Sequence, residues 1–168
     1  FGIIAGTFST AGFGMNVGRF STTGRIVHAV NLENSTIALR STTSVAITIS
    51  GSALALDATD ATFTIAEPSS SIRTVDLGGY AIGTLNYIVA GSTGQLSIIT
   101  SGYIDTLNFW DATNARTLAL AINTTLTVNN FNVYGASGRP VTLSSLTAGS
   151  PVYLKIVGQP ASVDYLLV

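Results

Sequence analysis

The sequence predicts an all-β protein built as a parallel β-solenoid, in which coils of about 22–24 residues stack along one axis. Three observations predict this fold. The second half of the chain repeats with that period, apolar and polar residues alternate within each repeat, and turn-forming residues separate the segments. A β-sandwich of short strands is the alternative, because it also produces short alternating segments between turns.

The repeat consists of two series of segments that run in phase. Segments of the first series start 22, 24 and 23 residues apart, at Leu85, Leu107, Phe131 and Leu154. Segments of the second series start 22, 23 and 22 residues apart, at Leu96, Leu118, Val141 and Val163. Two series that drift together indicate stacked coils, in which equivalent positions form columns along the axis.

Alternation within the first series predicts strands with one buried face. The first and third residues of each segment are apolar and the second is Asn or Lys, which is a period of two. One inward column therefore contains the four segment starts, and the next contains Tyr87, Phe109, Val133 and Ile156. A third strand, for example Thr125–Val128, fills the rest of the coil, and residues 91–94, 113–116, 137–140 and 159–162 are expected turns.

The first sixty residues are less regular. Residues 24–66 remain strand-like, and Phe63 precedes Leu85 by 22 residues, so the repeat reaches back at least that far. Residues 1–20 have Gly at positions 2, 6, 12, 14 and 18 and Phe at positions 1, 8, 13 and 20. We expect residues 1–23 to be a glycine-rich cap over the first coil or an arm that packs onto another subunit, and residues 24–168 to be the solenoid domain.

Composition excludes several function classes. Charged residues make up 9% and hydrophobic residues 46%, with a net charge of −1, and the Lys and Arg residues are scattered instead of forming the basic stripe that nucleic-acid binding needs. Polar residues interrupt every apolar run before the roughly 18 residues of a membrane span, so no membrane partner is expected. The chain has no Cys, which excludes disulfides and thiolate zinc sites. Such a chain fits a virion, an extracellular structure or a cell surface.

A family resemblance supports the fold. The segments Val141–Ser145, Tyr153–Ile156 and 162–166 resemble coils of the right-handed parallel β-helix proteins of the pectin-lyase-like superfamily. That superfamily includes phage tailspikes, bacterial surface proteins and polysaccharide-degrading enzymes, and the resemblance covers roughly residues 60–168. It implies a right-handed parallel β-helix, but repeat style indicates no particular function.

The sequence offers no catalytic set. His28 is the only histidine, and a Ser-His-Asp arrangement has no second anchor. Glycoside hydrolysis needs two carboxyl groups within about 5–10 Å, but Asp111 has no acidic neighbour in its expected column. A turn explains Asp57 and Asp60 equally well. We therefore predict a protein that is not an enzyme and has no metal or cofactor.

Two outward columns are the candidate site. Because Leu85 and Tyr87 point inward, the residues that follow them point outward. The polar column is Asn86, Asn108, Asn132 and Lys155, and the apolar column is Ile88, Trp110, Tyr134 and Val157. Contiguous apolar residues on an outer surface usually mark an interface. The apolar column could pack against symmetry mates, stack on sugar rings, or be covered by a loop of the same chain.

The leading functional hypothesis is a structural protein of a virion or extracellular assembly, specifically a phage head-decoration (cement) or fibre component. It would form a homo-oligomer, with a trimer favoured, and would join a larger protein assembly such as a capsid. The alternative is a secreted or cell-surface module that binds polysaccharide through Trp110, Tyr134 and the Asn residues.

Overall fold

A computed structural model describes residues 1–3, 5–24, 28–88, 94–110, 113–158 and 163–168. In these residues the regular secondary structure consists of nineteen β-strands, and there is no helix long and apolar enough to cross a membrane. The strands are β1 (Gly2–Ile3), β2 (Gly6–Ser9), β3 (Met15–Val17), β4 (Phe20–Gly24), β5 (His28–Asn31), β6 (Thr36–Leu39), β7 (Val45–Gly51), β8 (Leu54–Asp57), β9 (Thr62–Ile65), β10 (Arg73–Asp76), β11 (Ala81–Tyr87), β12 (Leu96–Ile98), β13 (Gly102–Trp110), β14 (Arg116–Leu120), β15 (Thr125–Tyr134), β16 (Val141–Ser145), β17 (Tyr153–Ile156), β18 (Val163–Asp164) and β19 (Leu166–Leu167).

The strands pair in parallel and stack in about six turns, which confirms the predicted β-solenoid. Each coil visits three sides in order. Side 1 contains β1, β4, β7, β10, β12, β14, β16 and β19. Side 2 contains β2, β5 and β8, and residues 81–82, 102–104, 126–128 and β17 take the same place in later coils. Side 3 contains β3, β6, β9, the second parts of β11, β13 and β15, and β18.

The core is made of inward columns that run the length of the stack. On side 3 one column contains Ile37, Phe63, Leu85, Leu107 and Phe131, each at most 1% exposed. Burying such a side chain contributes about 1.5–3 kcal/mol, so this column is a principal source of stability. The predicted column is confirmed from Phe63 to Phe131.

The same column reaches further toward the N-terminus than the repeat predicted. Met15 pairs with Ile37, which pairs with Phe63. The interval from Ile37 to Phe63 is 26 residues instead of 22, because this coil contains the seven-residue β7 and a separate four-residue β8, whereas β10 of the next coil has four residues. Because the interval changes by four residues, the repeat is not visible when the sequence is compared at a constant period. Apolar and polar residues still alternate in the strands before and after this change.

The last coil differs from the predicted register. Leu154 pairs with Leu126 and Ile156 with Val128, so their predicted places beside Phe131 and Val133 are wrong. Val163 pairs with Val133 instead. The segment 146–152 lengthens this coil and places β17 on side 2. An inward-facing Leu-x-Ile segment on side 2 has the same alternation as the Phe-x-Val segment on side 3, so the pattern alone does not separate the two sides.

The second series is confirmed only in part. Leu96 pairs with Leu118 as predicted, but Leu118 pairs with Leu143, two residues later than expected. Val141 therefore pairs with Arg116. In the last coil Val141 pairs with Leu166, whereas the repeat predicted Val163 at that position.

The strands β1, β2 and β3 form the first coil of the stack, and β4 begins the second coil. The strands β1, β2 and β3 pair in parallel with β4, β5 and β6 of the next coil. The ring of Phe1 lies 4.8 Å from that of Phe8 and 6.3 Å from that of Phe20, measured between centroids, which places aromatic surface at this end of the core. The domain division at residue 24, which falls within β4, and the choice between cap and arm stay predictions.

Candidate interaction face

The outer surface of side 3 carries three parallel columns of outward side chains. We call this surface the side 3 face. Its threonine column contains Thr36, Thr62, Thr84, Thr106 and Asn130. Its asparagine column contains Thr64, Asn86, Asn108 and Asn132. Its apolar column contains Ile88, Trp110 and Tyr134.

Hydrogen bonds between coils connect the asparagine column. The Nδ2 of Asn86 donates to the Oγ1 of Thr64 at 3.3 Å, and the Nδ2 of Asn108 donates to the Oδ1 of Asn86 at 2.8 Å. The Nδ2 of Asn132 then donates to the Oδ1 of Asn108, also at 2.8 Å. Each amide therefore orients the next, which fixes this part of the face. The prediction that Lys155 is the fourth member of this column is wrong, because Lys155 pairs with Thr127 on side 2.

The apolar column lies beside the amides. Trp110 pairs with Tyr134 in the next coil. Ile88 directly follows Tyr87, the partner of Phe109, so it lies one coil before Trp110. Ile88 is 41% exposed and Trp110 42% exposed, whereas Tyr134 is half-buried. The interpretation that a loop of the same chain covers this column stays a prediction.

Val157 does not belong to the apolar column. Its backbone nitrogen donates to the carbonyl oxygen of Val128 at 3.0 Å, which places it at the end of side 2. The residue that pairs with Tyr134 in the last coil is Asp164. The error follows from the register of the last coil, since Val157 was aligned through Leu154. The column consequently ends in a carboxylate.

Among the residues that the structure describes, the charged groups of the side 3 face lie at its two ends. At the N-terminal end, the Nη1 of Arg40 lies 2.8 Å from the Oε1 of Glu67 and its Nε donates to the Oδ1 of Asn16. This ion pair is solvent-exposed, so its contribution to stability is about 0–1 kcal/mol. Asp164 lies at the other end. Between these groups the three columns consist of uncharged side chains.

The best-connected carboxylate outside this face is Asp105, at the corner between sides 2 and 3. It accepts hydrogen bonds from the Tyr103 hydroxyl at 3.2 Å, the Thr106 hydroxyl at 3.1 Å and the Asn129 amide at 2.9 Å. Burial raises the pKa of Tyr103, and the Asp105 carboxylate raises it further. These contacts fix the corner, where pairing of β13 with β15 is interrupted. We assign Asp105 a structural role.

The other chemical candidates lie apart. His28 is 2% exposed on β5, packed in the interior beside Gly51. Asp60 lies in the turn after β8, as predicted, whereas Asp57 is the last residue of β8 and pairs with Asn31. Asp111 lies outside the described residues, as do the expected turns at 91–93 and 159–162. In the part of the chain that the structure describes, no three His, Asp or Glu side chains are grouped so that they could hold a metal ion.

Two structural features, one on the side 3 face and one on side 1, were not identified from the sequence. The threonine column is visible in retrospect as Thr two residues before Thr64, Asn86 and Asn108. The second feature is burial of Arg73 and Arg116 at the start of side 1 strands, which no composition signal indicates. Comparisons with protein families, curated proteins and solved structures gave no match to this chain.

Proposed function

We propose that this chain is a non-enzymatic structural component of a virion or extracellular assembly, and that copies of it associate through the apolar column of the side 3 face. The observation that carries the proposal is the row of Ile88, Trp110 and Tyr134, in which Ile88 and Trp110 are exposed and Tyr134 is half-buried. The described residues of the face carry no charge between its two ends. Uncovered apolar side chains in contact with one another favour burial against a partner.

The composition of the column suits an interface. Trp and Tyr are enriched among the residues that carry most of the binding free energy, and they lose little conformational entropy when they are buried. The hydrogen-bonded asparagine column beside them is already ordered before association, which lowers the entropic cost of binding. A single face on each subunit that packs against its neighbour fits a cyclic arrangement about one axis, and we favour a trimer.

The particle we favour is a phage, with the chain as a head-decoration (cement) or fibre component in the style of the pectin-lyase-like superfamily. A charged fraction of 9% and the absence of Cys support a protein that covers its surface with hydroxyls, amides and neighbouring subunits. The proposed location is therefore a virion or an extracellular surface. We propose no nucleic-acid or membrane partner and no cofactor.

The test is the solution mass, measured by light scattering, of the wild type and of the double variant Trp110→Asp/Tyr134→Asp. We expect a wild-type trimer and a folded monomeric variant, because two carboxylates in the column cannot be buried unpaired. The matched control is Phe13→Asp/Tyr153→Asp, which changes aromatic residues that are 75% and 55% exposed elsewhere. A wild type that stays monomeric at high concentration, or a double variant that keeps the wild-type mass, contradicts the proposal.

One observation favours a second candidate, a polysaccharide-binding module. Trp110 and Tyr134 lie in adjacent coils, about 4.8 Å apart along the axis, and Asn108 and Asn132 precede them by two residues on the same face. Aromatic rings beside amide groups can stack on and hydrogen-bond to sugar rings. A glycan array tests this candidate: binding that Trp110→Ala abolishes without changing the solution mass would favour it over self-association.

A further inference from the structure

The two polar columns of the side 3 face are aligned with each other across four consecutive coils. Each of these coils contributes one residue to the threonine column and, two residues later, one residue to the asparagine column. The pairs are Thr62 and Thr64, Thr84 and Asn86, Thr106 and Asn108, and Asn130 and Asn132. We call these eight residues the polar array. Each pair lies beside the equivalent pair of the next coil without a register shift.

The polar array is accessible and uncharged. All eight residues are half-buried, as short side chains are when they stand side by side on the outer surface of a sheet. Each presents a hydroxyl or an amide group, which can both donate and accept hydrogen bonds. The array therefore offers neutral hydrogen-bonding groups of one kind of chemistry over its whole length.

Hydrogen bonds between coils fix the asparagine side chains of the array. The amides of Asn86, Asn108 and Asn132 each donate to the residue before them in the column. The Nδ2 of Asn130 donates to the Oγ1 of Thr106 at 3.2 Å in the same way. An amide nitrogen has two N–H donors and each of these bonds uses one, so every asparagine keeps a second donor at a fixed position.

The spacing of the polar array suits a crystalline ligand. Neighbouring coils lie about 4.8 Å apart, and residues two positions apart in a strand lie about 6.6 Å apart. Its groups therefore repeat in two nearly perpendicular directions at two constant distances. The oxygen atoms of ice repeat in two perpendicular directions at distances close to these values. An ice surface can consequently contact all four coils of the array at once.

We propose that the polar array binds ice, through water molecules that its hydroxyl and amide groups hold at ice-like positions. Water that bridges two surfaces binds nearly as favourably as a direct hydrogen bond, provided that it is ordered. The fixed asparagine side chains supply that order before the ice arrives. This activity goes beyond the proposed function and uses the polar columns, whereas the proposed self-association uses the apolar column.

The test is thermal hysteresis, the difference between the melting and freezing temperatures of a single ice crystal in a solution of the protein. The variant Thr84→Tyr/Thr106→Tyr places two rings at the centre of the array, where they hold an ice surface away from the other groups. The matched control is Thr117→Tyr/Thr142→Tyr, at two half-buried threonines that pair in neighbouring coils of side 1. We expect hysteresis and faceted ice crystals from the wild type and the control, and loss of both from the side 3 variant.

A second variant covers the case that the tyrosine variant does not fold, as judged by circular dichroism. Thr84→Lys adds a short-stemmed charge to an outward position, and the strongly hydrated ammonium group prevents ice-like order in the water around it. It should also lose the hysteresis.

A wild type without hysteresis would overturn the proposal, as would a folded side 3 variant that keeps the wild-type value. Equal loss in the side 1 control would show that the ice surface does not contact the polar array and would overturn it too. The solution mass of each sample separates this inference from the proposed function. An associated wild type without hysteresis contradicts ice binding alone, whereas hysteresis from a monomeric wild type supports ice binding and contradicts self-association.

Discussion

At the scale of single residues, coils pack so closely that replacing some glycines lowers the free energy of unfolding for steric reasons alone. A Cβ at Gly83 would lie 2.6 Å from the Ala61 carbonyl oxygen and closer to that of Thr59, and both are backbone atoms that cannot rotate away. We expect Gly83→Ala to lower the free energy of unfolding by about 1–3 kcal/mol, measured by urea denaturation. At Gly14 the nearest atom would be 3.6 Å away, so Gly14→Ala is the control. Equal stability of the two variants would contradict the register of coils three and four.

The asparagine column gives a second prediction at this scale. Asn108 makes two side-chain hydrogen bonds within the column, to Asn86 and Asn132, whereas Asn132 makes one, to Asn108. With a net contribution of about 0.5–1.5 kcal/mol for each bond, Asn108→Ala should cost about 1–3 kcal/mol and Asn132→Ala about half as much. Urea denaturation of both variants measures the difference. A larger loss for Asn132→Ala would show that the amides do not form the ordered column.

Sequence reasoning succeeded for residues whose neighbours repeat. Leu85, Leu107 and Phe131 could be aligned because similar residues recur at nearly constant intervals, and the asparagine column followed from the same alignment. Burial of Arg73 could not be predicted in this way. Arginine is almost never buried, and no pattern reveals that one guanidinium points inward.

At the scale of strands and coils, the contribution of an inward residue depends on its place in the stack. Leu107 is 0% exposed and its strand pairs with a strand on each side, whereas Leu154 is partly exposed and β17 pairs only with β15 in the described residues. We expect Leu107→Ala to cost about 2–5 kcal/mol and Leu154→Ala clearly less, by denaturant unfolding. A larger loss for Leu154→Ala would mean that the last coil is more tightly packed than the structure shows.

The last coil also shows why element-level prediction failed where it did. All three sides alternate apolar and polar residues, so alternation identifies a strand but not its side. The side follows only from turn lengths, and the segment 146–152 changes the offset between paired residues to 28 at Leu126 and Leu154. Val157 was assigned to the apolar column for this reason, and Asp164 takes its place beside Tyr134.

At the scale of the whole molecule, the stack presents sides with different properties. The core columns run inside all coils, while the side 3 face carries hydroxyls, amides and one apolar column between charged ends. The end with the last coil also exposes apolar side chains, including Tyr153, Tyr165 and Leu167. The solenoid and its period could be predicted because each coil repeats the previous one. No partner for the side 3 face could be predicted from the repeat, because a repeat encodes contacts within the chain and not contacts beyond it.

The most direct test of the central claim uses the fluorescence of Trp110, because it is the only tryptophan in the chain and lies in the centre of the apolar column. The emission maximum and its quenching by acrylamide should be measured over a dilution series, together with the mass at each concentration. If copies associate through this column, emission will shift to the blue and quenching will fall as oligomers form. Formation of oligomers while Trp110 stays as accessible as in the monomer would contradict the account.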